Sequence, residues 1–298
     1  MVCGADGVWH GTFVAPMPNS VSVITPNIMR RTFLLPALFL FISVSPVSAQ
    51  LKYDFPQFWH ETGSFASTPF NWQTQDWLNV GLVGVGTLFA LQADVTVRKD
   101  VLATNGKYFN ALEPGRMYGE IYSPPIFFGA FAAYSLIAND MKARKIAYEI
   151  GQASLYGAAV VFAAKVIVGR SRPNVSDSAQ SFSPFKLFSF GDDYHSFPSG
   201  HTTVAFILST VLSRNIEPMW GKILAYAPAI YTAAARVGQN YHWTSDVFAG
   251  AFVGYFIAKW AVDLHERGET KAADQGALQQ SSFQLSSVFP LTITIPIN

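Results

Sequence analysis

Three short clusters in this 298-residue sequence combine cations, histidines and a carboxylate at spacings that suit the chemistry of a bound anion. The first is Lys165 and Arg172, seven residues apart and followed at once by Pro173. That spacing is two helical turns, so a continuous helix would present both cations on one face. Lys165 lies inside an apolar run, where an unpaired charge is costly. The cluster predicts an anion site, although two cations at a helix end can also simply be solvated.

The second cluster is Pro198-Ser199-Gly200-His201, with an apolar run of helical character directly after it. Ser199 is a good helix N-cap, Gly200 lets backbone N–H groups approach a ligand closely, and His201 falls in the first turn. The first turn of a helix has unpaired N–H donors and suits phosphate above all. A histidine there can move a proton near neutral pH. Taken alone, the same residues could also be an ordinary capped helix start.

The third cluster is Arg236, His242 and Asp246. If the segment is helical, His242 and Asp246 lie one turn apart, so the carboxylate can accept a hydrogen bond from one imidazole nitrogen. That bond would fix the tautomer and leave the other nitrogen as a nucleophile or base. The alternative for a lone pair at this spacing is a capping or surface interaction.

Together the clusters resemble the three-part signature of the type 2 phosphatidic acid phosphatase superfamily. That superfamily also includes bacterial class A acid phosphatases and vanadium-dependent haloperoxidases. The resemblance covers Lys165 to Asp246 directly, and the layout of helices extends it to residues 77–262. One position departs from the pattern, because the serine that usually precedes the third-cluster arginine is Ala235 here.

The resemblance implies an all-α fold, a six-helix bundle with the site at one end. It also implies that His242 attacks phosphorus and forms a phosphohistidine, that Asp246 orients it, and that His201 protonates the leaving group. The phosphoryl oxygens would be held by five residues: Lys165, Arg172, Ser199, Gly200 and Arg236. Phosphoryl transfer mainly needs positioning and charge stabilisation, which three cations supply, so no metal or other cofactor is expected.

Other polar residues are weaker candidates. We interpret Asp192-Asp193 as a turn, His195 as a solvent-facing loop histidine and His60 as structural. The aromatic-rich loop 182–197 joins the first two clusters and must border the site. It could hold an acyl or prenyl chain, or it could simply pack locally.

The elements that must position these clusters follow from the apolar runs. Six apolar stretches rich in small residues are predicted to be helices: Trp77 to Leu91, Pro125 to Ala138, Ala147 to Val168, Ser199 to Ser213, Gly221 to Ala235 and Ser245 to Val262. Asp94 to Glu120 is predicted to be loop or short helix. Residues 50–76 are predicted to be irregular, residues 77–262 to form the helical phosphatase domain, and residues 263–298 to be a polar linker with a short β-prone tail.

Residues 1–49 are interpreted as an N-terminal leader with a signal peptide at Met29–Ala49, because a basic start, a short apolar run and a small-residue site follow one another. An uncleaved anchor helix is the alternative. The single cysteine, Cys3, rules out an internal disulfide. Because of the signal peptide, export to the cell envelope with the site facing the periplasm is expected.

Composition favours membrane association over a soluble protein. Only 13% of residues are charged and 50% are hydrophobic, and the net charge of +1 gives no sign of a nucleic-acid partner. The predicted helices are, however, mostly shorter than the roughly 20 residues that a helix needs to cross a bilayer, which argues against all of them being transmembrane helices.

The sequence thus predicts a metal-independent phosphatase acting on a lipid phosphate monoester or diphosphate, with a phosphorylated lipid as its partner. Three alternatives stay open: a soluble periplasmic non-specific acid phosphatase, a vanadium-dependent haloperoxidase, and a helical membrane scaffold without activity.

Overall fold

The computed structural model describes residues 52–185 and 194–288, all within one compact unit, Leu51–Asn298. These residues form nine α-helices and a short 3-10 helix, Thr68–Asn71, with no β-strand among them. The helices are α1 Phe55–Ser67, α2 Thr74–Ala103, α3 Phe109–Tyr118, α4 Ser123–Ala138, α5 Met141–Val168, α6 Gly200–Asn215, α7 Met219–Leu224, α8 Ala227–Gly238 and α9 Thr244–Val288. The predicted all-α class is confirmed, with more helices than the six expected.

The bundle is built around α6, which packs against α5, α8 and α9. Its core is a cluster of buried apolar side chains from α5, α6 and α9, including Ile150, Leu208 and Ala258, none of which is exposed. The contact between α6 and α9 is close enough to involve backbone. A Cβ atom at Gly250 would lie 2.6 Å from the Ser199 carbonyl oxygen, so only glycine fits there. This packing fixes the start of α6 against the first turns of α9.

The prediction that residues 50–76 are irregular was wrong for most of that segment. Helix α1 begins with Asp54 as its N-cap, which accepts a hydrogen bond from the Gln57 backbone at 2.9 Å, and Pro56 occupies the first turn. The many aromatic residues of the segment favoured a turn-rich interpretation, whereas they pack within α1 and against α5, as Phe65 does on Tyr156.

A buried charged cluster attaches α1 to the bundle. The His265 imidazole of α9 lies between two carboxylates, with Nε2 3.3 Å from Glu61 of α1 and Nδ1 3.2 Å from Glu149 of α5. Glu61 also accepts hydrogen bonds from Tyr148 and Gln152, at 2.9 and 2.7 Å. The charge of Glu149 inside an apolar helix is therefore balanced within the protein rather than by solvent.

The described helices are longer than the sequence predicted. Three are long and apolar enough to cross a membrane, namely α2, α5 and residues 244–271 of α9. Helices α3 and α4, bent by 50° relative to each other, pass the same test as a pair. The predicted helices were too short because the segment that begins at Asp94 and the charged residues before Ala147 were left out of them. Asp94 is instead buried in α2, and Asp140 caps α5 by accepting a hydrogen bond from Ala143 at 3.0 Å.

Two further boundaries differ from prediction. The stretch Gly221 to Ala235 is divided into α7 and α8, since Pro228 lies at the start of α8. Helix α9 continues through the predicted polar linker to Val288. Its charged residues pair at helical spacing or with other helices, as Asp263 does with Arg214 at 2.9 Å. Residues 289–298, with most of the β-prone tail, and the leader with Met29–Ala49 lie outside the described residues.

Candidate active site

The second cluster forms the start of α6, as its residues predicted. Ser199 is the N-cap, and its hydroxyl oxygen accepts hydrogen bonds from the Thr202 backbone and hydroxyl at 3.4 and 3.0 Å. The Ser199 backbone N–H donates to the Asp246 carbonyl oxygen at 3.0 Å. Among the described residues, a Cβ at Gly200 would touch only Val161, at 3.8 Å, so none of them packs tightly on this backbone. The cluster thus places the N-terminus of α6, a favourable position for an anion, at His201.

The first cluster does not lie on one continuous helix. Helix α5 ends at Val168, and Gly169 takes the left-handed conformation, φ 57°, that commonly terminates a helix. Arg172 follows in a turn and is buried, whereas Lys165 is in the last turn of α5 and donates a hydrogen bond to the His195 carbonyl oxygen. Gly169 thus ends the helix four residues before Pro173, so Lys165 and Arg172 do not share a helix face. The Asp192-Asp193 pair lies outside the described residues.

The third cluster spans the connection from α8 to α9. Arg236 is in the last turn of α8, His242 lies in the connection, and Asp246 is in the first turn of α9. The His242 Nδ1 atom is 3.7 Å from the Asp246 carboxylate, and Ser196 lies between them. The Ser196 hydroxyl is 2.5 Å from Asp246 Oδ2 and 3.5 Å from His242 Nδ1. Nδ1 therefore faces the carboxylate, which leaves Nε2 as the nitrogen available for chemistry.

A buried arginine that the sequence analysis passed over holds Asp246 in place. Arg170 is 1% exposed and donates to Asp246 Oδ1 at 2.6 Å and to Asp94 Oδ2 at 2.7 Å. The Ser245 backbone and hydroxyl also donate to Asp94, at 2.9 and 2.6 Å. One guanidinium thus donates charge-assisted hydrogen bonds to both carboxylates. The chain from Asp94 through Arg170 to Asp246 thus orients the carboxylate that faces His242.

Arg236 is the donor best suited to an anion. Its side chain is 3% exposed, and among the described residues its Nε atom has no hydrogen-bond partner although it is buried. Burial, followed by repulsion from Arg172, lowers the pKa of Arg236 to about 10, so it remains a cation at neutral pH. A buried N–H without a partner is costly unless a ligand accepts from it. Arg236 Nε–H is therefore a suitable donor to a bound anion.

Both histidines lie in the field of these cations. Burial lowers the pKa of His201 to about 3, and further contributions come from four residues, in decreasing order Arg236, Arg172, Arg116 and Lys165. Burial also lowers the pKa of His242 to about 3; Arg172 and Lys165 lower it further, while Asp246 opposes them. Arg172 and Lys165 thus act on both imidazoles, which places the first cluster near the other two.

The structure therefore brings the sequence-predicted residues together at the start of α6. It adds residues that sequence reasoning missed: Asp94, Arg116, Glu120, Arg170, Ser196 and Ser245. Arg170 carried a weak signal, since a charged residue between Gly169 and Arg172 needs a partner if that turn is buried. The part of the chain that the structure describes holds no group of three or more histidine, cysteine or acidic side chains arranged for a metal ion.

Comparison with known proteins gives a match in this same region. The family model described as the PAP2 superfamily matches residues 149–268, which include all three clusters. A lipid A 1-phosphatase of Porphyromonas gingivalis is 32% identical over 126 residues, covering 41% of this chain and 24% of the relative. An undecaprenyl-diphosphatase of Sulfolobus acidocaldarius is 35% identical over 83 residues, covering 27% of this chain and 39% of the relative. The chain thus spans well under half the length of these curated relatives.

Two solved structures are similar at low identity. The crystal structure of Aquifex aeolicus LpxE matches with a TM-score of 0.40 and 21% identity, covering 52% of this chain and 85% of that one. A transmembrane PAP2-type phosphatidylglycerolphosphate phosphatase from Bacillus subtilis matches with a TM-score of 0.47 and 15% identity. The match covers 62% of this chain and 94% of that one. The stretch that matches the PAP2 superfamily model, residues 149–268, holds all three clusters.

Proposed function

We propose that this protein is a phosphatase that hydrolyses a lipid phosphate monoester or diphosphate through a phosphohistidine intermediate. The observation that carries the proposal is the buried Arg236 Nε–H, which has no acceptor within the described residues and which acts on His201 together with the positive charges of Arg172 and Lys165. A phosphoryl group supplies the missing acceptor oxygens. The fixed cations provide the charge stabilisation that phosphoryl transfer needs, so the mechanism requires no metal ion.

In the first step His242 Nε2 attacks phosphorus in line with the leaving oxygen. The P–N bond forms as the P–O bond breaks, and a proton from His201 passes to the leaving alkoxide. Lys165, Arg172 and Arg236 hold the phosphoryl oxygens, together with the backbone N–H groups at Gly200. Asp246 accepts from the Nδ1 side of His242 and stabilises the positive charge that develops on the ring.

In the second step a water molecule attacks the phosphohistidine. Neutral His201 now takes a proton from that water, the P–N bond breaks, and the electron pair returns to His242 Nε2. Inorganic phosphate leaves, and His201 is again protonated. Both histidines thus end the cycle in their starting states.

The lipid class of substrate is supported by the apolar character of the bundle. Helices α2, α5 and α9 are long enough to cross a membrane, and apolar side chains such as Leu82, Leu88 and Phe89 of α2 are exposed. The relatives' names refer to lipid phosphates. We assign the site to the periplasmic side on the strength of the leader-like Met29–Ala49. Cysteines introduced beside the site should then react with a membrane-impermeant reagent in intact cells.

The proposal is tested by a phosphate-release screen of the purified full chain in detergent. The panel contains phosphatidate, phosphatidylglycerophosphate, a prenyl diphosphate, lipid A and water-soluble phosphate esters, each assayed with EDTA present. Release from at least one lipid phosphate supports the proposal. Release from the water-soluble esters alone would instead indicate a non-specific acid phosphatase, and release from none would contradict the proposal.

The pH dependence follows from the histidine pKa values. His242 must be neutral to attack, and its lowered pKa keeps it so throughout the working range, whereas His201 must be protonated and becomes less so as pH rises. We therefore expect kcat/KM to fall from about pH 5 to about pH 8, by up to about tenfold per unit. A pH–rate profile with an alkyl phosphate checks this. A flat or rising profile would contradict the role of His201.

Arg170 should be intolerant of lysine. A single ammonium group cannot reach Asp94, Asp246 and the Ala179 carbonyl oxygen together, as the Arg170 fork does. We expect Arg170→Lys to lower kcat by roughly 10 to 100-fold, the range seen when the partner that orients a functional side chain is lost. Arg98→Lys is the matched control. Both arginines lie over the Trp243 ring, but Arg98 forms its ion pair with the exposed Asp177. Equal activity of the two variants would contradict the role assigned to Arg170.

A further inference from the structure

A carboxylate from outside the three clusters lies directly beside the second histidine. Glu120 follows α3, and its Oε1 atom is 3.1 Å from His201 Nε2. Its side chain is 17% exposed, so the contact is largely shielded from solvent. No pattern in the sequence links Glu120 to the site, and the mechanism above does not use it.

The position of Glu120 is fixed by close backbone packing. A Cβ atom at the preceding Gly119 would lie 2.5 Å from the His201 carbonyl oxygen and 2.6 Å from Thr232 Cγ2. The Thr232 hydroxyl in turn donates to the Gly115 carbonyl oxygen of α3 at 2.6 Å. Only glycine allows α3 to approach α6 and α8 this closely. The turn that carries Glu120 is thus pressed against the first turn of α6.

Arg116 makes a carboxylate tolerable beside an anion site. It forms ion pairs with both Glu113 and Glu120, so much of the negative charge at Glu120 is balanced locally. Glu113 accepts from Gln239 at 3.0 Å, and Gln239 accepts from Arg236 at 3.3 Å. The pairs on α3 are therefore connected to the arginine that faces the pocket.

We propose that Glu120 is a positioning residue for His201, holding its Nε2–H by a hydrogen bond so that Nδ1 carries the proton given to the leaving group. This inference rests on the proposed phosphatase activity and deepens it. Each histidine then has one carboxylate: His242 is oriented through Nδ1 by Asp246, and His201 through Nε2 by Glu120. The use of opposite nitrogens leaves each ring with one nitrogen for the substrate.

The proton count is balanced through both steps. The His201 imidazolium holds two protons, one on Nε2 shared with Glu120 and one on Nδ1. When the P–O bond breaks, the Nδ1 proton goes to the leaving oxygen and the Nε2 proton stays with the ring. Glu120 thereby fixes the neutral tautomer whose Nδ1 lone pair accepts the proton of the attacking water. The carboxylate itself is not protonated at any point.

The test uses the dependence of rate on the leaving group. An alkyl phosphate needs its leaving oxygen protonated, whereas p-nitrophenyl phosphate has a good leaving group and depends little on a general acid. For Glu120→Gln we expect kcat on the alkyl phosphate to fall by about tenfold or more, with a change below about threefold on p-nitrophenyl phosphate and similar KM values for both. Glu120→Asp should recover part of the loss, because it restores the charge.

Glu266→Gln is the matched control, since Glu266 also forms an ion pair with an arginine, Arg214, and belongs to none of the three clusters. It should leave both rates within about twofold of the parent. An equal loss on both substrates for Glu120→Gln would indicate a structural role only, and a gain on both would indicate a group that obstructs the pocket; either result, or an unchanged ratio, overturns the inference. If the unaltered protein releases phosphate from none of the lipid or water-soluble phosphates, the proposed function fails and the role of Glu120 fails with it.

Discussion

Replacing His242 with alanine should abolish turnover on every phosphate substrate that the protein accepts. The side chain is buried and its Nδ1 atom faces Asp246 and Ser196, so Nε2 is the one nitrogen left to attack phosphorus. Without a nucleophile the fixed cations still bind the phosphoryl group. We therefore expect kcat to fall by roughly 10⁴-fold or more, while the affinity for a non-hydrolysable phosphonate changes little.

The intermediate gives a second readout for the same variant. Acid-sensitive, base-stable labelling from a ³²P-phosphate ester should be found in the unaltered protein and be absent from His242→Ala. His60→Ala is the control, because His60 is exposed on α1 and contacts none of the three clusters. Substantial residual turnover by His242→Ala, or labelling that persists in it, would contradict its assignment as the nucleophile.

Changing Asp246 to asparagine should have the next largest effect. Oδ1 accepts from Arg170 at 2.6 Å, and Oδ2 accepts from Ser196 at 2.5 Å and from the Trp243 backbone at 3.0 Å. Both oxygens face donors, so in either orientation the asparagine NH₂ group would meet another donor. We expect kcat to fall by roughly 10³ to 10⁴-fold, as when the orienting carboxylate of a catalytic triad is replaced by an amide.

A loss of folding must be separated from a loss of orientation in that variant. Asp263→Asn provides the control, being the same change on the same helix at a residue that pairs with Arg214 and Lys259 near the surface. Asp246→Asn should still bind inorganic phosphate, and its far-ultraviolet circular dichroism should match that of Asp263→Asn. A fall in kcat of less than about tenfold would contradict the assigned role of Asp246.

The parts of the site that the sequence predicted correctly are those whose determinants are local. Ser199 caps α6 because a serine before Gly200 and an apolar run is sufficient for that role. The grouping of Lys165, Arg172, His201, Arg236 and His242 was predicted from their spacing together with a resemblance, not from spacing alone. The catalytic roles of these residues stay predictions until the variants above are measured.

The parts that were missed depend on contacts between distant residues. Asp94 was placed in a polar segment predicted to be loop or short helix, yet it is buried in α2, where it pairs with Arg170. Glu120 reaches His201 only because Gly119 allows close packing of α3 on α6. In the same way α1 is held by Glu61 and His265, whose partners are on other helices. A charged residue is predicted to be exposed to solvent unless its ion-pair partner is known, and the order of residues in the sequence does not reveal that partner.

The tight contact of α9 with α6 has a practical consequence for protein engineering. Substituting alanine for glycine in an exposed helix commonly raises stability by about 1 kcal/mol. In α9 such a change can be tolerated at Gly268, where an added methyl group would meet no atom within 4 Å, but not at Gly250 or Gly254, where it would collide with the backbone of α6. Thermostable variants for crystallisation are therefore best sought toward the carboxyl-terminal part of α9, because a methyl group at Gly250 would push Ser199, and with it His201, out of register.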